Sequence, residues 1–310
     1  MKKTMLLLAV LSAICIGSCK NIGYEKTKTG LEYKIISDGK GKELKKGDYV
    51  KFNYKITHGD SVITSSYNFV PGYDEVDSVG RYHDFSELLP MMRVGDSGVC
   101  FQLYDSLATR AQGPMPGFMK KGDKLKMTFK ILDGITGREA AIADYQKEME
   151  NFKDRDLAKI EKYLAANKIN AQKVNNTVFV EIQNKGTGIA ADSGKMVGIK
   201  YNCYNYDGQY FDSNIDSTKQ INKHGMEPFY FVAKQQGAVA GILDGITVFN
   251  QGGKGRIFVP SLLAYGPQGS PPSIKPNENL IFDIEVVDVK DAPQRQPQFQ
   301  MPQPQPQEKE

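Results

Sequence analysis

Two stretches of the chain alternate apolar and polar side chains in the same way. "LEYKIISDGKG" from residue 31 and "VFVEIQNKGTG" from residue 178 both open on apolar alternation and close on glycines, and "YVKFNY" ending at Tyr54 is matched by "MVGIKY" ending at Tyr201. A period of two predicts half-buried strands, because side chains i and i+2 share one face of a sheet. Residues 29–57 superpose on 176–204 without a gap at an offset of 147, which brings Gly39, Gly41 and Gly47 onto Gly186, Gly188 and Gly194. Matched glycines imply matched turns, so the pattern predicts a duplicated β-rich domain. Farther on, "KLKMTFKILD" from 124 meets "NLIFDIEVVD" from 279 at an offset of about 155; the second copy therefore carries an insertion, expected within 213–228.

Between the copies the period changes. Residues 138–169 contain no Gly or Pro, and Ile142, Tyr145, Met149 and Phe152, then Leu157, Ile160 and Leu164, recur at three and four residues. This spacing predicts one long amphipathic helix or a pair of them. Thirty helical residues span ~45 Å at 1.5 Å each, enough to hold two domains apart. The stripe either packs on its own domains or forms a homodimer seam, and packing is preferred because the apolar register slips near residues 154–156. From Asp291 to Glu310 the chain alternates Pro and Gln, which cannot form a core and reads as a disordered extension.

A length of 310 residues fits two domains, each able to bury its own core. Residues 1–18 stand outside that count: Lys2 and Lys3 precede an apolar run from Met5 to Ile16, a charged start and a core too short to span a bilayer, as in a secretory signal. Its end, Ile16-Gly17-Ser18-Cys19, resembles the lipobox of bacterial lipoproteins, which implies a lipid anchor on Cys19 and a tether over 19–28. Lys20-Asn21 lacks the Asp expected for inner-membrane retention, so an outer membrane is preferred. Without Lys2 and Lys3 the 40 basic residues fall to 38 against 36 acidic ones, scattered along the chain, and nucleic acid is excluded as a partner. Beyond Cys15 and Cys19 only Cys100 and Cys203 remain, too few for a disulfide framework. His58, His83 and His224 have no metal-ligand spacing with them, and no metal site is expected. "NQGGKGR" at 250 superficially resembles a phosphate loop, yet it lacks Ser or Thr after the Lys and leads into a strand, so it is read as a turn.

Candidate chemistry begins at "DGQYFDSN", residues 207–214, where a tight turn is followed by a ring, Phe211, directly beside a carboxylate, Asp212. Past it come Pro228-Phe229-Tyr230-Phe231, the helix opening at Val239 to Ile242, "VPSLLAYG" ending at Gly266, and the closing strand "LIFDIEV". In that order these motifs resemble the FKBP-type peptidyl-prolyl isomerases over residues 175–290. The resemblance implies an α+β fold: two FKBP-like domains, each an antiparallel β-sheet wrapped around a short helix with an apolar pocket between, joined by a long helical linker. Carried over by motif position, the catalytic residues are Tyr201, Phe211, Asp212, Tyr265 and Phe282. The substrate-binding ones are Phe229, Ala238 through its backbone, Val239, Ile242 and Ile274. Phe211 is expected as one wall of a proline cup. Asp212 is expected either to hold Tyr201 by a hydrogen bond or to meet the rotating carbonyl carbon, and Tyr265 to donate to a backbone carbonyl of the bound peptide. No cofactor is implied, and the partners are proline-containing polypeptides.

The first copy departs from this pattern. Opposite Phe211-Asp212 it has Ile63-Thr64 or Thr64-Ser65, and "YDSLATRAQG" contains no Tyr-Gly, although Tyr54 is kept, Phe85 takes the floor position and Met127 stands where Phe282 lies. The expected organisation is therefore a degenerate domain over 29–134, a helical linker over 135–174, an isomerase domain over 175–290 and a tail over 291–310. The expected activity is isomerisation of X-Pro bonds in exported proteins, and the alternative is a non-catalytic chaperone.

Overall fold

A computed structural model describes residues 23–77, 84–110, 119–270 and 273–293. The leader 1–18, Cys19 and tail residues 294–310 lie outside the described residues. Among the described residues, fourteen strands form two antiparallel sheets of seven. The first holds β1 (Glu25–Lys26), β2 (Glu32–Ile36), β3 (Asp48–His58), β4 (Ser61–Ser65), β5 (Gly72–Glu75), β6 (Ser97–Leu103) and β7 (Lys124–Thr136). The second holds β8 (Gln172–Val174), β9 (Val178–Asn184), β10 (Lys195–Tyr204), β11 (Tyr210–Ser213), β12 (Phe229–Val232), β13 (Lys254–Val259) and β14 (Leu280–Asp291). Their strand orders are β1-β2-β6-β7-β3-β4 and β8-β9-β13-β14-β10-β11, with β5 on β3 and β12 on β10, so one topology is built twice.

The repetition extends to irregularities that hydrophobic periodicity does not encode. The β3–β7 register shifts between Lys51 and Phe52, and the β10–β14 register shifts between Gly198 and Ile199, the same place at an offset of 147. Gly39 and Gly186 take φ of +73° and +82°, and Gly47 and Gly194 take +84° and +83°, the left-handed conformation that glycine adopts without a Cβ penalty. The register also resolves the open alignment at the acid position: Ile56 faces Thr64 as Cys203 faces Asp212, so Thr64 is the counterpart of Asp212. Sixteen positions then separate Ser213 from Phe229 where seven separate Ser65 from Gly72, which puts the insertion between β11 and β12.

Each sheet covers a core of buried hydrophobic side chains. In the second, the short helix α3 (Ala240–Gly245), named after α1 (Tyr104–Arg110) and α2 (Arg138–Ala166), lies against β13. It approaches closely because it presents glycine there: a Cβ on Gly241 falls 2.3 Å from Val259 Cγ1, and one on Gly245 falls 2.7 Å from Ile257 Cγ2. In the first sheet a 3₁₀ segment, Phe85–Met91, takes this position, capped by the Asp84 side chain on Ser86 N–H.

The single helix α2, about 43 Å long for its 29 residues, is fastened to both sheets. Lys51 of β3 bridges Asp144 and Glu148 at 2.8 Å each, and Phe152 is buried edge-on to Phe69 with ring centroids 4.8 Å apart. Ile160 and Leu164 then pack on Phe179, Phe258 and Ile281 on the outer side of the second sheet. At the register slip, Asp156 is buried and its Oδ2 accepts from both the N–H and the hydroxyl of Ser261 at 2.8 Å. A polar residue interrupts the stripe because it anchors the helix to the second sheet. Ile142 and Tyr145, by contrast, are exposed.

Gly241→Ala tests the close approach of α3. Ala gains up to about 1 kcal/mol of helix propensity over Gly, while overpacking against Val259 costs about 1–3 kcal/mol. A lowered urea midpoint is the expected outcome, and an unchanged or raised midpoint contradicts the packing.

Candidate functional site

Along β10, the residues Ile199, Tyr201 and Cys203 share one face, the face that α3 covers. Between sheet and helix they enclose a cavity of about 410 Å³ whose other walls are Asp212, Phe229, Gly237, Ala238, Val239, Ile242, Tyr265 and Phe282. Ile242 is the buried floor, placed by the first turn of α3 after Val239. The Tyr201 ring lies 6.0 Å from Phe229 at 67° and 6.3 Å from Phe282 at 48°, centroid to centroid. Such tilted, edge-directed contacts suit aromatic quadrupoles and leave a concave space between rings. Phe229 and Tyr265 remain 38% and 42% exposed, so the cavity is open at their end.

Polar groups converge on its rim. Asp212 Oδ2 accepts from the Tyr201 hydroxyl at 2.5 Å, and its Oδ1 lies 2.7 Å from His224 Nε2 and accepts from the Ser213 N–H at 2.9 Å. Burial, and then the bond to Asp212, raise the Tyr201 phenol well above its ordinary range, so it stays a neutral donor. Burial likewise raises Tyr265, whose hydroxyl has no hydrogen-bond partner among the described residues and is available to a ligand. Cys203 in the wall is also pushed up by burial, which makes it a poor nucleophile at neutral pH.

Eight of the ten residues expected around the pocket line this one cavity: Tyr201, Asp212, Phe229, Ala238, Val239, Ile242, Tyr265 and Phe282. Phe211 and Ile274 do not. Both are buried and line an adjoining cavity of about 340 Å³, together with Ile221, Asn222, His224, Ser270 and Ser273. Strand alternation accounts for Phe211: with Asp212 turned toward Tyr201, the neighbouring ring points away from the cup. Cys203, Asp212 and Tyr265 line both cavities.

Two contributors escaped the sequence reading. Asn214, buried, accepts from the Tyr201 N–H at 2.6 Å and donates to the carbonyls of Ile199 and Glu227 at 3.0 Å each, closing the two ends of the insertion on β10. Its counterpart Ser66 takes the Tyr54 N–H at 2.8 Å, so a hydrogen-bonding side chain one residue past the strand was the available signal. For His224, inside the insertion, no repeat offers a counterpart.

In the first sheet the hollow is filled. Ile199 and Ile242 correspond to Phe52 and Phe85, which are buried with ring centroids 4.7 Å apart, and Phe85 lies 4.7 Å from Phe129 as well.

Because both thiols are buried, Cys203 and Cys100 should resist a thiol-alkylating reagent at pH 8 in the native protein and react in urea. Peptide mass mapping reads both; native labelling of Cys203 at a free-thiol rate contradicts the burial.

Comparison with known proteins follows the second sheet. Residues 188–287 match the family model described as FKBP-type peptidyl-prolyl cis-trans isomerase. FK506-binding protein 4 of Dictyostelium discoideum is 39% identical over 102 residues, 33% of this chain and 25% of that protein. The FKBP-type peptidyl-prolyl cis-trans isomerase FkpA of Escherichia coli (strain K12) is 28% identical over 228 residues, 64% of this chain and 80% of that protein. The crystal structure of FkpA from Escherichia coli covers 50% of this chain and 69% of its own at 28% identity, with a TM-score of 0.38. The chain thus spans about a quarter of the FK506-binding protein 4 relatives and most of FkpA. The likeness to the FKBP-type peptidyl-prolyl cis-trans isomerase family thus lies in the second domain, whose residues 188–287 match the family model.

Proposed function

We propose that the protein isomerises X-Pro peptide bonds and that the 410 Å³ cavity of the second domain is where it does so. The carrying observation is the combination of a ring-walled apolar cup with one anchored carboxylate and one unpartnered phenol at its mouth. An X-Pro amide resists rotation by about 18–20 kcal/mol because its C–N bond is partly double. Twisting localises the nitrogen lone pair and reduces the amide's polarity. Water stabilises the planar form more than the twisted one, so a cup that takes in the proline ring and excludes water favours the twisted form. An acceleration of about 10⁵ requires a barrier lower by roughly 7 kcal/mol, with no nucleophile and no cofactor.

In this reading Phe282, Phe229, Val239 and Ile242 hold the proline ring. Tyr265 donates to a peptide carbonyl and so fixes the chain while the bond turns. Asp212 has the first of the two roles expected of it, orienting Tyr201, while its second oxygen is engaged by His224 and the Ser213 N–H. Phe211 and Ile274 act one layer out, as walls of the adjoining cavity.

The clients are proline-containing polypeptides outside the cytoplasm. The lysine-led apolar leader supports export, and the lipobox-like end supports a lipid anchor on Cys19, with an outer membrane preferred. A homodimer through α2 would use the face carrying Ile142 and Tyr145, since Phe152, Ile160 and Leu164 are occupied within the chain. For the first domain, a non-catalytic grip on unfolded polypeptide is favoured by its filled hollow, Thr64 in place of the acid, and the exposed side chains of Val62, Tyr67 and Met91.

Cis-to-trans conversion of a short X-Pro peptide tests this directly. Wild type should accelerate it, and Asp212→Ala and Tyr265→Phe should each lower kcat/KM about tenfold, the effect of one hydrogen bond worth ~1.4 kcal/mol. Absence of acceleration by wild type removes the enzyme reading; suppression of client aggregation that persists in both variants places a chaperone activity elsewhere in the chain.

A further inference from the structure

The insertion between β11 and β12 is internally wired. Ser213 Oγ accepts from the N–H groups of Ile215 and Asp216 at 3.0 and 2.9 Å, Gln220 Nε2 donates to the Ser213 carbonyl at 2.6 Å, and the Ile221 N–H donates to the Phe211 carbonyl at 3.3 Å. From this loop one side chain reaches the site. His224 sets Nε2 at 2.7 Å from Asp212 Oδ1 and Nδ1 at 2.7 Å from the Gly225 carbonyl.

Both ring nitrogens therefore face acceptors. A neutral imidazole carries one N–H and satisfies one of them, whereas the imidazolium satisfies both. Gln220 Nε2 stands 3.4 Å from Nδ1 and supplies the donor a neutral ring needs, so a second arrangement is ready when the proton leaves. We propose that His224 is a positioning residue: its imidazolium latches the 214–228 insertion onto Asp212 and holds that carboxylate toward Tyr201, making the site responsive to pH where imidazole titrates.

The surroundings isolate this one titration. Asp212 of β11 is the charged group in contact with the ring. Across the carboxylate lie Tyr201 of β10 and Tyr265 of the following loop, both phenols kept neutral by burial, and the Cys203 thiol is raised in the same way. Within the insertion, Asp216 caps Thr218, Lys219 sits 3.9 Å from Asp216, and Lys223 donates to the Ser217 carbonyl. Lys200 of β10 is held by the carbonyls of Asn214 and Met226. The bonds to Asp212 and then to Gly225 raise His224 above the ordinary imidazole value. A neutral ring with its proton on Nε2 keeps the bond to Asp212 without the charge, so the latch is strongest below that ordinary value and weakens as pH rises through the raised one. Because ring and carboxylate are 40% and 36% exposed, the effect is modest, about threefold.

The experiment pairs side-chain NMR with kinetics on the full chain. The His224 resonance, assigned by its loss in His224→Gln, should titrate at higher pH in wild type than in Asp212→Asn, and the Ile221 amide should exchange more slowly below that titration than above it. Resting on the isomerase reading, wild-type kcat/KM for an X-Pro peptide should fall about threefold through the same pH range. His224→Arg should keep the acid-side rate throughout, and His224→Gln the alkaline-side rate. Titration of His224 at the same pH in wild type and Asp212→Asn overturns the latch, as do superimposable pH profiles of wild type and His224→Gln. If wild type accelerates nothing, the isomerase reading falls while the titration and amide exchange still decide the latch.

Discussion

One face of one strand carries the site. Side chains two apart on β10, Ile199, Tyr201 and Cys203, must seal the core at one end and leave an opening at the other. Ile199 and Cys203 are buried, and Tyr201 between them keeps its ring in the cavity and its hydroxyl on Asp212. Cross-strand pairing fixes what each meets: Cys203 is opposite both Phe282 of β14 and Asp212 of β11, so an aromatic wall and a carboxylate flank the same position. A register slip of one residue on either partner would turn Phe282 or Asp212 to the other side of the sheet. The bulge at Gly198 and the glycine turn at Gly194 restrict that slip, and the site inherits its geometry from them.

The two domains show how little separates a hollow from a filled core. Topology, bulge and glycine turns are shared, and the difference lies in side-chain volume at two cavity-lining positions. Isoleucine at 199 and 242 leaves space; phenylalanine at 52 and 85 closes it, with centroids at contact distance. Interiors pack densely, so an added ring consumes the void rather than sharing it. The same copy has Thr64 where the acid stands, and the polar anchor on the strand is Ser66 instead of Asn214. Volume and polarity have thus diverged together on a shared strand topology.

This division explains what could be read from the sequence. Strand alternation, paired glycines and the three-four spacing of the linker are local and periodic, and they gave the duplicated sheets and the helix. Most of the cup followed from the family order of motifs. Motif position places Phe211 and Ile274 near the cup without saying which of two adjoining cavities each lines; for Phe211 that depends on the side of the strand its neighbour Asp212 takes. His224 was invisible for a different reason: it approaches Asp212 from twelve residues away through an irregular loop, and neither period nor repeat constrains such a contact. Asp156 was seen only as a flaw in a stripe, since a buried acid is legible once its partner, Ser261, is known.

That acid connects the linker to the site's own scaffold. Ser261 opens the 3₁₀ turn Ser261–Leu263, which ends two residues before Tyr265, and Asn279, directly before β14, also accepts from its backbone N–H, at 2.8 Å. The phenol loop is therefore held at its root by two side chains, one from α2 and one from the strand that carries Phe282. Burying a carboxylate is costly unless it is hydrogen-bonded, and Asp156 offsets part of that cost through Ser261 on Oδ2, while Oδ1 has only the Lys159 ammonium at 3.6 Å. An exposed tyrosine can keep a defined position only if the backbone beneath it is rigid. The helix that joins the domains supplies part of that rigidity, so it acts as a support for the mouth of the cup as well as a spacer.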